Sequence, residues 1–339
     1  IFIKPSLRFG NNLTKDFYNI HTSFLIIFYM LFLMIKIKES IMNKLIPLLI
    51  LSAYTFSFSQ EIKWEKLAEN LQFPEGPAWN GNELFVSSCY GGFISKIGSN
   101  TSEIFVDSTM KPFRIKQSNG LTFGKDGYMY ACDYGIGAIL KISPTGITEI
   151  LSDGYQGEKY NRPNDLAFSP EGMLFFSDPK SYSKDKPDGR LFKLDINSGE
   201  SELVIDSLCF PNGIAFSNNW KNLFVCESAM NRILKFDFND DGSITNKTVF
   251  VNLPGGDPDG IAFDSEGKLF CAHFGGGTIY VIDRDGKIIH EIKTPGKKPS
   301  NVEFGGKDMK ILFITEDETN SVYKTTLETP GQKLFYSPF

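Results

Sequence analysis

Histidine is scarce in this chain, with three among 339 residues. Only His273 and His290 lie beyond residue 59, and neither sits beside a Gly-x-Ser-x-Gly elbow, so a serine–histidine–aspartate triad has no support. No Cys-x-x-Cys pair occurs among the five cysteines, which leaves a zinc ribbon or a dithiol redox motif without basis. The odd count leaves at least one thiol unpaired. Cys132, Cys226 and Cys271 recur in matching strand contexts and read as small buried hydrophobes. Gly275-Gly276-Gly277 lacks the following helix and lysine of a phosphate loop, and reads as a hairpin.

Long apolar runs are also missing. Residues 24–35 are apolar for only twelve positions, short of a membrane span. Residues 45–58 form a second run after the basic start Met42-Asn43-Lys44, and Ser57 and Ser59 are small residues placed for a cut before Gln60. This three-part pattern predicts a secretory signal peptide over 42–59 and a mature domain over 60–339. Residues 1–41 are then a spurious upstream segment or an anchor. No cysteine near the cut supports a lipid-anchored form. The expectation is an exported protein, periplasmic or secreted, that meets a membrane only if the amino-terminal segment is retained. Residues 1–59 carry six basic and two acidic residues, so their removal takes the net charge from −5 to −9. An acidic body argues against nucleic acid as a partner. No protein partner is implied.

Phenylalanine and glycine, 31 of each, are plentiful, and short aromatic runs punctuated by glycine favour strands over helices. These runs repeat. Pro74-Glu75-Gly76-Pro77-Ala78-Trp79 aligns with Ser118-Asn119-Gly120-Leu121-Thr122-Phe123, and then with segments starting at Pro163, Pro211, Pro258 and Ser300. One polar position recurs at Glu75, Asn119, Asn164, Asn212, Asp259 and Asn301, at intervals of 44, 45, 48, 47 and 42 residues. Each unit continues with a turn, a second strand such as Leu174-Phe175-Phe176-Ser177, an alternating third strand and a weaker fourth. Four short strands per unit of this length predict an all-β, six-bladed β-propeller with four-stranded antiparallel blades. The stretch at 61–67 is expected to close the ring within the last blade, the carboxyl end at 333–338 being the alternative.

In a propeller the first strand of each blade lines the central channel, so the six polar residues converge near one mouth. Two carboxylates and four amides make an oxygen-only donor set, which suits a hard divalent cation and above all calcium. Zinc, magnesium and manganese are the other candidates, though zinc prefers histidine or cysteine. Such an ion polarises a carbonyl and activates water. The bland alternative is a turn reused six times, since Asn-Gly and Asp-Gly are turn dipeptides. Glu75 and the pair Asn164-Asp165 fit that alternative poorly.

These same residues carry a family likeness. Glu75-Gly76-Pro77-Ala78-Trp79, Arg162-Pro163-Asn164-Asp165, Pro211-Asn212-Gly213, Pro258-Asp259-Gly260 and Glu266-Gly267-Lys268-Leu269, in that order, resemble the senescence marker protein / gluconolactonase / luciferin-regenerating enzyme family over roughly residues 65–330. The resemblance implies a six-bladed propeller with a divalent ion in its channel, a sugar lactone as substrate and hydrolysis as the reaction. It implies Glu75, Asn212 and Asp259 as metal ligands and Asn164 as a fourth ligand or a substrate contact. It also implies Arg162 as a substrate-binding residue, and Asp259 as the catalytic base or nucleophile. Asn119 and Asn301 complete the ring as candidate substrate contacts. His273 is either a substrate contact and proton shuttle at the rim or a structural residue. An additional acid expected after the second strand of the third blade has no counterpart in Asp178-Pro179-Lys180-Ser181-Tyr182-Ser183, which leaves the particular sugar open. The long loop that starts there, 179–189, is expected to cover the mouth. The competing functions are phosphotriester or aryl ester hydrolysis on the same fold, and a metal-stabilised binding propeller without chemistry. A second repeated polar position, at Asp133, Asp178, Glu227 and Glu316, reads as strand-end and turn bonding, or as support for the ring amides.

Overall fold

Alternation of apolar and polar residues over five or six positions makes each run a strand, and each glycine-marked turn folds it back on its neighbour. The computed structural model describes residues 62–99, 101–109, 115–333 and 335. The expected signal peptide, the segment before it and most of 333–338 lie outside the described residues.

Six four-stranded antiparallel sheets follow one another along the chain. Their inner strands are Pro74–Trp79, Ser118–Phe123, Leu166–Phe168, Pro211–Phe216, Asp257–Phe263 and Pro299–Gly305. The six sheets are the blades of a β-propeller, numbered here 1 to 6 in that order. Within blades 1 to 5 the strands run inner to outer in sequence order. Blade 6 takes its outer strand, Glu65–Ala68, from the amino-terminal side, where it pairs antiparallel with Ser321–Thr326. The first and last described strands thus share a sheet, and the ring is closed without an open edge at the joint.

Packing explains the abundance of phenylalanine. The hydrophobic residues form six clusters, one in each crevice between adjacent blades. Each crevice holds an aromatic pair, the second strand of one blade meeting the inner strand of the next. These are Phe85–Phe123, Tyr130–Phe168, Phe175–Phe216, Phe224–Phe263 and Phe270–Phe304, all edge-to-face with centroids 5.0–5.5 Å apart. Phe313 on Trp79 closes the series between blades 6 and 1, stacked at 5.8 Å. Such pairs contribute about 0.5–1.5 kcal/mol each beyond burial. All five cysteines are buried and free, Cys132, Cys226 and Cys271 within the strands as expected.

The polar position followed by glycine lies inside the inner strands, not in turns. A side chain on Gly213 would collide with the Asp259 carbonyl oxygen of blade 5. Glycine at this position therefore lets neighbouring inner strands approach closely at the channel waist, and the reused-turn explanation falls away.

Candidate functional site

The channel is divided into two compartments. The upper one, about 170 Å³, is lined by Glu75, Asn119, Asn164, Asn212 and Asp259, one from each of blades 1 to 5. All five are buried. Asn301, the sixth ring residue, borders the lower compartment of about 120 Å³ with Asp165 and Glu303. It still belongs to the site, because its side chain and that of Asn119 both favour the charged form of Glu75. The sequence therefore places all six residues around one axis, five at the upper level and one just below.

Glu75 and Asp259 are carboxylates in a place that suits carboxylates poorly. Burial, reinforced by repulsion from Asp165, pushes Glu75 up to about 8 against the help of the Gly76 N–H, Asn119 and Asn301. Burial and the charge of Glu75 drive Asp259 well above its ordinary range. Glu75 Oε2 is buried without a hydrogen-bond partner. A buried carboxylate oxygen left unpartnered is costly unless a proton or a cation meets it. Orphaned carboxylate oxygen, a second carboxylate and converging amides together fit a hard cation bound through oxygen. The residues that could hold one are Glu75, Asn164, Asn212 and Asp259.

Three acids that the repeat pattern did not single out lie along the same axis. Asp165 occupies the place that glycine takes in blades 1, 2, 4 and 5. Its carboxylate accepts the N–H of Leu166 at 3.0 Å and of Ile214, on the next blade, at 3.2 Å, and burial pushes it up to about 7. Glu303 accepts the Phe304 N–H, and its enclosed position pushes it up to about 8. Asp317 is buried with neither carboxylate oxygen partnered, and burial with the charge of Glu75 pushes it up to about 10. The signal for Asp317 was present: it follows the second strand of blade 6, at the offset where Cys89, Tyr134, Ser228 and Phe274 line the upper cavity.

Arg162 and His273 stand outside the cavity. Arg162 is exposed and donates to the Tyr134 hydroxyl at 2.8 Å, with its guanidinium 5.1 Å from the centre of the same ring. It reaches the cavity only through Tyr134. His273 is buried against Tyr280, at the strand-end position where other blades place an acid. Burial lowers its basicity, so it is neutral near pH 7.

Those strand-end acids clamp the loops that lead into the ring. Asp133 accepts four backbone N–H groups, from Lys116, Gln117, Gly135 and Ile136. Asp178 accepts from Asn161 and Arg162, Glu227 from Cys209, and Glu316 from Lys298. In each case the clamp includes the residue three positions before the ring residue. Asp178 and Glu227 are further held by Arg190 and Arg232 at 2.7 and 2.6 Å. Both earlier readings of these acids merge here: they bond turns, and those turns aim the ring amides.

Aromatic side chains crowd the mouth above the ring. Phe73 and Phe210 each precede a ring residue by two positions, in blades 1 and 4, which face each other. Both adopt left-handed backbone conformations, with φ of 59° and 57°. Bulky residues rarely do so, and such strain costs about 1–3 kcal/mol. The loop after Asp178 reaches over the mouth as expected. Tyr182 lines the cavity, packs on Phe210 at 5.1 Å and donates to Asp257 of blade 5 at 2.5 Å.

With this geometry in view, comparison with known proteins is informative. Residues 73–317 match the model of the SMP-30/Gluconolactonase/LRE-like region. A gluconolactonase of Zymomonas mobilis is 32% identical over 300 residues, covering 79% of this chain and 82% of its own. The diisopropyl-fluorophosphatase of Loligo vulgaris is 27% identical over 299 residues, covering 80% of this chain and 94% of its own. Among solved structures, a gluconolactonase from Xanthomonas campestris superposes with a TM-score of 0.70 at 25% identity, covering 80% of this chain and 91% of its own.

Proposed function

The chain belongs to the SMP-30/gluconolactonase/LRE-like family, and from that membership and the oxygen-lined cavity we propose that it is a divalent-cation-dependent hydrolase of lactones, exported by the signal peptide at 42–59. The observation that carries the proposal is the convergence of Glu75 and Asp259, both buried, with amides between them and one carboxylate oxygen left without a partner. A binding scaffold has no use for two carboxylates beneath one mouth. Relatives named gluconolactonase support a sugar lactone as substrate.

Glu75, Asn164, Asn212 and Asp259 would hold the cation, calcium before magnesium, manganese or zinc on the strength of the donor set. When bound, the ion supplies polarisation of the lactone carbonyl and a lowered pKa for water. This chain's residues do the rest. Asp259 takes the proton from the attacking water, whose oxygen adds to the carbonyl carbon. The ring C–O bond then breaks, and the leaving alkoxide takes that proton as the hydroxy acid forms. Asn119, with Arg162 acting through Tyr134, orients the substrate. The clamps at Asp133, Asp178 and Glu227 hold the ring amides so that little reorganisation is needed.

The test is lactone hydrolysis by protein 60–339 after dialysis against chelator, with and without added calcium, beside Asp259→Asn. Activity restored by calcium and reduced at least about a hundredfold in the variant is expected. A panel of sugar lactones, aryl esters and an aryl phosphotriester that yields no turnover, despite tight cation binding, would leave a binding propeller instead.

A further inference from the structure

Resting on the lactonase proposal, we infer that the preferred substrate carries an aryl or other flat apolar substituent, gripped between Phe73 and Phe210, in place of the hydroxyl array of a free sugar. The rim of the upper cavity presents six aromatic rings, from Phe73, Tyr90, Tyr134, Tyr182, Phe210 and Phe274. Five of them fall into two groups, one about Phe73 and one about Phe210. Phe73 packs on Tyr90 at 4.4 Å and on Phe274 at 6.2 Å, and Phe210 packs on Tyr182 at 5.1 Å. Tyr90 and Tyr182 remain more than half exposed, at 63% and 57%, so each group offers an uncovered face to an entering ligand.

Both jaws are held against backbone preference. The Phe73 carbonyl accepts from Cys89 N–H at 2.9 Å, and the Asn320 side chain accepts the Phe73 N–H at 3.2 Å. The Phe210 carbonyl accepts from Ser228 N–H at 3.1 Å. A left-handed conformation at the same repeat position in two facing blades, each aiming a ring at one cavity, is the kind of strain that accompanies ligand clamps.

The polar groups of the rim are mostly spoken for. Tyr182 O–H is bound to Asp257, Ser228 Oγ donates to the Pro258 carbonyl at 2.7 Å, and Tyr134 Oη accepts from Arg162. Above the ring amides the hydroxyls of Tyr90 and Tyr134 and one oxygen of Asp257 are left to meet a substrate hydroxyl. A hexonolactone would still lay most of its hydroxyls against ring faces, whereas an aryl group buries apolar surface there.

The experiment compares γ-phenyl-γ-butyrolactone with glucono-δ-lactone on the calcium-loaded protein, and measures calorimetric binding of the non-hydrolysable lactam counterpart of the phenyl compound. Phe73→Leu and Phe210→Leu keep bulk and lose the ring; Phe73→Gly also relieves the backbone, which keeps a folded variant in hand. The phenyl lactone is expected to have at least about tenfold higher kcat/KM, and the variants to raise its KM about tenfold and to shrink its advantage over glucono-δ-lactone in proportion. Lactam binding is expected to weaken in parallel. Equal or better use of glucono-δ-lactone, or lactam binding indifferent to both variants, overturns the inference. Tight, Phe-dependent lactam binding without turnover of any lactone would uphold the aromatic grip and refute the hydrolase proposal.

Discussion

Glu75 concentrates the energetic tension of the site. It is buried, feels the charges of Asp165 and Asp259, and keeps one oxygen without a partner although the Gly76 N–H, Asn119 and Asn301 favour its charged form. Replacing it with glutamine removes the charge and keeps the shape. In the absence of cation, Glu75→Gln should melt no lower than the wild type, since the variant has no charge to bury. With calcium in large excess over its dissociation constant the wild type should gain on the order of 4 kcal/mol, equivalent to roughly ten degrees in Tm, and the variant most of nothing. Differential scanning calorimetry with chelator and with calcium reads both. A calcium-induced rise that survives in Glu75→Gln would remove this residue from the cation site.

At the scale of the element, the inner strand is the unit that joins fold to chemistry. In five blades its first half carries the ring residue and its second half the aromatic that fills the crevice; in blade 3 Asn164 stands just before the strand. Glycine between them sets the distance to the next blade, so Gly213→Ala should destabilise by about 3 kcal/mol or more, because the new Cβ meets a backbone carbonyl that no side-chain rotation can move. Gly127→Ala, at φ 78° in open space, should cost only about 1 kcal/mol, from backbone strain alone. Equal urea midpoints for the two variants would mean that the strands do not approach as closely as Gly213 requires. The contrast also shows what was legible in the sequence. The period, the ring at 75, 119, 164, 212, 259 and 301, and the closure near residue 65 repeat or flank the repeat, so alignment of the chain with itself finds them. Asp165 and Asp317 were missed because they break the pattern: one replaces a glycine, and the other stands where the other five blades put uncharged groups. The jaws at Phe73 and Phe210 were missed because their role depends on blades 1 and 4 facing each other, which no local pattern states. Arg162 was found by family likeness, and its engagement with Tyr134 depends on a contact 28 residues away.

For the molecule as a whole, the propeller has no central hydrophobic core. Its apolar surface is buried in six crevices, and the axis they surround is left to acids. Glu75 and Glu303 are pushed up to about 8 from 4.5, and Asp165 up to about 7 from 3.8, in each case chiefly by burial. A carboxyl whose folded pKa exceeds its unfolded value binds its proton more tightly in the native state. Its stabilising effect is complete below the unfolded pKa and is lost as pH rises through the folded one. His273 acts in the opposite sense, since burial lowers its pKa below 6.5, and it weakens the fold only in acid below that value. Between about pH 6.5 and about pH 8.5 His273 is therefore silent and the buried acids set the slope, the buried thiols, also raised by burial, adding to it in the same sense at the alkaline end. The chelated protein should lose stability steadily across that window as the fold is made to hold unneutralised charge. Saturating calcium should flatten or reverse the slope by supplying the counter-charge that Glu75 and Asp259 lack. Melting temperatures taken at several pH values in chelator and in calcium measure the difference. A chelated protein that is equally stable, or more so, at the alkaline end would mean that water or hydrogen bonding already satisfies the axis, and the case for a cation there would fall with it.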